Sequence, residues 1–67
     1  MKSKRIKDLK KGEWFTLKPV EYPNESIVWV RSHYDKASKK YAAYKFSDIN
    51  HETFLNGDRM CYVDFIF

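Results

Sequence analysis

The sequence predicts a single, mainly β domain: a small, strongly bent antiparallel sheet or barrel with one or two short helical turns. Three observations predict it. Sixty-seven residues leave room for one core and no second. Five Phe, five Tyr and two Trp supply ring bulk that suits a pleated, half-buried surface. Apolar residues also recur with a period of two in several short runs, separated by turn-forming clusters.

From the N-terminus, "RIKDLKKGE" spaces Ile6 and Leu9 by three residues. That suits one helical turn, or a lid that drops its apolar side onto the end of the sheet, with Gly12 ending it. "WFTLK" (14–18) sets Phe15 and Leu17 against Trp14, Thr16 and Lys18, the alternation of a first strand. "PVEYPNES" holds two prolines and no period, and reads as a long, partly extended loop. "SIVWVRSHY" is β-branched and aromatic, a second strand with Val28 and Val30 toward the core. "DKASK" is a polar hairpin loop in which the Asp35 side chain can bond the turn backbone, and "KYAAYKF" (40–46) is a third strand. "SDINHETFLNGD" reads as a break, with Ser47 or Asp48 capping a short helical turn and Asn56-Gly57-Asp58 forming a turn. "MCYVDFIF" (60–67) closes as a terminal strand flanked on both edges. It directs Cys61, Val63, Phe65 and Phe67 inward and Met60, Tyr62, Asp64 and Ile66 outward. Strands this short favour an SH3-like barrel first and an OB-like barrel second, spanning 14–67 behind a basic N-terminal arm, 1–13.

Composition narrows the function classes. One cysteine forms no internal disulfide and fits a reducing cytoplasm, and Cys61 on the apolar register reads as inert packing. No run resembles a secretion signal or a membrane span, so Asn24-Glu25-Ser26 reads as a chance match to a glycosylation site. No Cys/His cluster has metal-ligand spacing, no glycine-rich phosphate loop is present, and no cofactor is expected. Asp48, His51, Glu52 and Asp58 fall in one loop region, with His33 elsewhere, but nothing patterns them as an acid–base pair. No catalytic residue or small-molecule substrate is therefore assigned.

The net charge of +4 is unevenly placed. Lys2, Lys4, Arg5, Lys7, Lys10 and Lys11 stand against Asp8 in residues 1–11, while the remaining seven basic and eight acidic residues leave the body at −1. Such an arm neutralises phosphate without reading sequence, or serves only to keep the protein in solution. On the second and third strands, Trp29, Arg31, Tyr41 and Lys45, with Tyr62, share one outer face if Ala42, Tyr44 and Phe46 point to the core. Rings interleaved with cations are what a single-stranded nucleic-acid platform requires, since bases stack on the rings and cations hold phosphates. The same rings also serve to complete a core too small to be built from aliphatics. The expected partner is nucleic acid, DNA or RNA, bound by the six arm cations with Trp29, Arg31, Tyr41 and Lys45. The alternative is a protein–protein module that docks through exposed aromatics and the proline loop. A monomer, or a dimer paired through an edge strand, satisfies either reading.

The segments "IKDLKKGEWFTLKP", "VWVRSHYDKASKKYAAYKFSDINHETFLNGD" and "VDFIF" together resemble small uncharacterised open reading frames carried by bacteriophages and mobile elements of gut bacteria. The resemblance implies a cytoplasmic, phage-type accessory protein acting on a host or virion component, and it brings no catalytic residues. Leu9, Gly12 and Phe15 are similar in spacing to the opening of many SH3-like barrels.

Overall fold

The computed structural model describes residues 2–66 and is mainly β. Six strands run in chain order: β1 (Ser3–Arg5), β2 (Trp14–Phe15), β3 (Trp29–Asp35), β4 (Lys40–Lys45), β5 (Asp48–Asn56) and β6 (Met60–Tyr62). The only helical elements among the described residues are two 3₁₀ turns, Ile6–Asp8 and Glu25–Ile27. All pairings are antiparallel: β1 lies on β6, and β2-β3-β4-β5 form a four-stranded meander. Thr16, just past β2, bridges Tyr62 through two backbone bonds of 2.9 Å, so β6 is flanked on both edges as the sequence predicts. The sheets stay open and do not close into a barrel.

The sequence-derived core holds in most particulars. Phe15, Val28 and Cys61 are fully buried, Val30 nearly so, and Val63 packs against the main cluster. Phe67 lies outside the described residues. Asp35 accepts from Ala37 N (3.1 Å) and Ser38 Oγ (2.9 Å), which fixes the β3–β4 loop. Gly12 has φ +90°, a left-handed conformation that glycine adopts without a Cβ clash.

Three expectations are corrected. First, "SDINHETFLNGD" contains no helical turn; its first nine residues after Ser47 are β5, the longest strand. Asp48 does make the side-chain bond it promises, accepting from Asn50 N at 3.0 Å, but it holds a bulge and not a helix. The pairing slips from Lys45↔Asp48 to Tyr44↔Glu52, leaving residues 49–51 as extra length on β5. Second, the basic segment is no free arm. Ser3–Arg5 is a strand of the sheet, and Ile6 and Leu9 fall into the main core cluster with Phe15, Ala43, Leu55 and Cys61. The drop of Ile6 and Leu9 is the lid expected from their spacing, and burying two large aliphatics stabilises by about 3–6 kcal/mol, enough to hold the segment down. Third, the face expected to be outer is the face that carries this cluster. Residues directly opposite one another in antiparallel strands share a face. Phe15↔Trp29↔Lys45, Arg31↔Ala43↔Thr53 and Tyr34↔Tyr41↔Leu55 therefore lie together over the core. The row Trp14↔Val30↔Tyr44↔Glu52 lies on the reverse side with Ala42 and Phe54. Both Ala42 and Ala43 are buried, so this small sheet is covered on both sides.

Candidate functional site

The stripe of rings and cations expected from β3 and β4 exists, at the margin of the core-bearing face. Trp29 sits opposite Lys45, and the Lys45 ammonium lies 5.6 Å from the Trp29 ring centroid. Two residues along β3, the Arg31 guanidinium stacks over Tyr41 at 4.5 Å. A one-residue bulge between Arg31 and Tyr34 then turns Tyr34 onto the same side, 4.7 Å from Tyr41. His51, from the bulged part of β5, meets Trp29 edge-on at 5.6 Å. Trp29, Arg31, Tyr41 and Lys45 are all half-buried, and the Trp29 and Tyr41 rings pack against the core cluster. Tyr62 is also half-buried but sits on β6, in the other sheet.

Arg31 and Lys45 are cations without a carboxylate among the described residues, whose two ion pairs are Lys4–Glu13 (3.5 Å) and Lys7–Asp58 (3.2 Å). The Arg31 Nε–H is buried with no acceptor among the described residues. A donor left in that state costs on the order of 1–3 kcal/mol, which marks Arg31 as poorly served by the protein itself.

The folded N-terminal segment runs along this stripe. Arg31 N donates to Glu13 O (3.0 Å) and Gly12 N donates to Arg31 O (2.8 Å), placing Lys10 and Lys11 a few residues from the guanidinium's strand. Lys7 and Tyr41 both crowd Gly57, where a Cβ would stand 2.9 Å from Tyr41 Cε1 and 3.2 Å from Lys7 Cβ. The two halves of the expected site are thus contiguous through Gly57. Within the six cations of residues 1–11, Lys4 and Lys7 are held by carboxylates, and Lys2, Arg5, Lys10 and Lys11 have none among the described residues.

Four neighbours of the stripe were not legible in the sequence. Leu17, Lys18, Ser26 and Ile27 join Trp29 and Lys45 around a concavity of about 170 Å³. They come together because the proline loop folds back, a long-range event that leaves no local signal. A second concavity, about 340 Å³, lies between Gly12, Glu13, Trp14, Val63 and Phe65.

Of the scattered acid–base candidates, Asp48 accepts from Asn50 N, Asp58 pairs with Lys7, and the His51 ring meets Trp29. No group of three or more His, Cys, Asp or Glu among the described residues can hold a metal ion. Cys61 is fully buried and donates its Sγ–H to Lys4 O at 3.3 Å. Burial, reinforced by the charge of Glu13, pushes its pKa up to about 11, so the thiol stays protonated at neutral pH. No helix among the described residues is long and apolar enough to cross a membrane. Comparison with protein-family models, curated proteins and solved structures finds no match.

Proposed function

We propose that this protein is a non-enzymatic binding module for single-stranded nucleic acid. Cations of residues 2–11 hold phosphates, and the Trp29–Lys45 and Tyr41–Arg31 pairs receive bases. The observation that carries this reading is the pair of cations Arg31 and Lys45, each over a ring and neither paired with a carboxylate among the described residues. A ring with an unpaired cation on it offers a flat surface and a positive charge in one place, which a nucleotide matches with its base and phosphate.

The test is titration of a labelled single strand, followed by anisotropy at low and near-physiological salt. If Lys2, Arg5, Lys10 and Lys11 all contact phosphate, four contacts at a slope of about 0.7 each reduce affinity roughly fifty-fold between about 50 and 200 mM salt. Their joint replacement by Gln flattens that dependence. Deleting residues 1–11 is the wrong perturbation, because it removes β1, Ile6 and Leu9 from the fold. Absence of DNA and RNA binding at low salt overturns the proposal.

The second reading, a phage-type accessory that docks on a protein, is favoured by one feature. Trp14, which lines the larger concavity, and Phe46 and Phe54 are each about 40% exposed on the reverse face. Aromatic groups of this kind dominate binding energy at protein interfaces.

A further inference from the structure

We infer that the concavity bounded by Leu17, Lys18, Ser26, Ile27, Trp29 and Lys45 is a subsite for one nucleotide of the bound strand. In it the base lies against Trp29 and the phosphate is held between Lys18 and Lys45. The inference rests on the nucleic-acid reading above. At about 170 Å³ the space suits one flat ring system and is smaller than the sites of drug-sized ligands, which begin at roughly 300 Å³. Leu17, Ile27 and Trp29 give it an apolar interior, and two lysines from different parts of the chain bring positive charge to it. Among the described residues, no carboxylate lines it and neither lysine is in an ion pair. A flat apolar body with an attached anion is the ligand that this distribution complements.

The walls are held in place before any ligand arrives. Thr16, fully buried, donates its hydroxyl to Lys18 O at 2.7 Å, and Val20 N donates to the same oxygen at 2.9 Å, so the backbone carrying Lys18 is fixed. Across the gap, Asn24 caps the turn Glu25–Ile27, accepting from Ser26 N on its side chain (3.0 Å) and from Ile27 N on its carbonyl (3.2 Å). Ser26 Oγ also donates to Asn24 Oδ1. Pro19 and Pro23 restrict the loop between these two anchors and lower the cost of ordering it.

The experiment compares a single strand of about ten nucleotides with an abasic strand of the same length and charge, for the native protein and for Ser26→Leu, an exposed position whose aliphatic replacement occupies the concavity without adding a ring on which a base could stack. The native protein is expected to bind the base-bearing strand about tenfold or more tighter than the abasic one. Ser26→Leu should bring that ratio toward one. Lys18→Gln, an exposed substitution that leaves the core intact, is the second variant and should weaken binding of the base-bearing strand. Equal binding of the two strands by the native protein overturns the subsite and leaves phosphate-driven binding standing. A ratio that survives Ser26→Leu also overturns it, by placing the base elsewhere. Failure of both strands to bind at low salt removes the underlying reading, and the subsite with it.

Discussion

Replacing Gly57 by Ala tests whether the N-terminal segment and the ring stripe are packed as one unit. Gly57 is not in the left-handed region, so Ala meets no backbone penalty there. Two effects then compete. Ala narrows the conformations of the unfolded chain, which stabilises by about 0.4–1 kcal/mol. Against that, its methyl lands 2.9 Å from Tyr41 Cε1 and 3.2 Å from Lys7 Cβ. Tyr41 has little freedom to retreat, because Arg31 stacks on its ring and Tyr34 packs against it at 4.7 Å. Overpacking of this kind costs roughly 1–3 kcal/mol, so the clash wins and the net loss is about 1 kcal/mol. For a domain of this size that lowers Tm by about 4–8 °C. Urea unfolding followed by far-UV circular dichroism reads the change directly. In a Tyr41→Leu background the ring edge is gone and most of the penalty should vanish, a coupling that a remote cause would not produce. A midpoint for Gly57→Ala equal to or above that of the native protein would refute the packing described around Gly57.

Two further outcomes follow from the core. Ile6→Ala removes a side chain that is 1% exposed and should cost about 2–5 kcal/mol in chemical unfolding, whereas Lys10→Gln nearby should stay within about 0.5 kcal/mol; equal effects would return the segment to the status of a free arm. Cys61 sets an alkaline limit. Its folded-state pKa of about 11 stands above an ordinary value near 9, so its contribution is fully present below pH 9 and is lost as pH rises toward 11. Up to about 3 kcal/mol is at stake. The native protein should lose more stability than Cys61→Ala between about pH 8 and about pH 10.5. Parallel curves for the two proteins would show that the thiol has no part in the alkaline loss.

Much of this fold is written locally. Alternation in "WFTLK", "SIVWVRSHY" and "MCYVDFIF" places Phe15, Val28, Val30 and Cys61 inside, because a strand's side chains point alternately to its two sides whatever its neighbours are. Turn chemistry is local too: Asp35 and Asn56 bond backbone N–H groups two residues ahead, as their side-chain length dictates. The grouping of Trp29, Arg31, Tyr41 and Lys45 on one side of the sheet was also legible, since it needs only the register of one hairpin.

Tertiary structure alone decided which side of the sheet carries the main cluster. Alternation distinguishes two faces but not which one a remote segment will cover, and here Ile6, Leu9 and Cys61 arrive from opposite ends of the chain. The same limit explains β5. Its polar sequence becomes a strand because β4 offers a partner edge, and pairing free energy belongs to both strands together. Gly57 looks like an ordinary turn glycine, yet what it provides is room for Tyr41 and Lys7, a requirement set by residues 16 and 50 positions away. Local pattern determined which residues seek burial; contacts between distant segments determined where the rings and cations ended up.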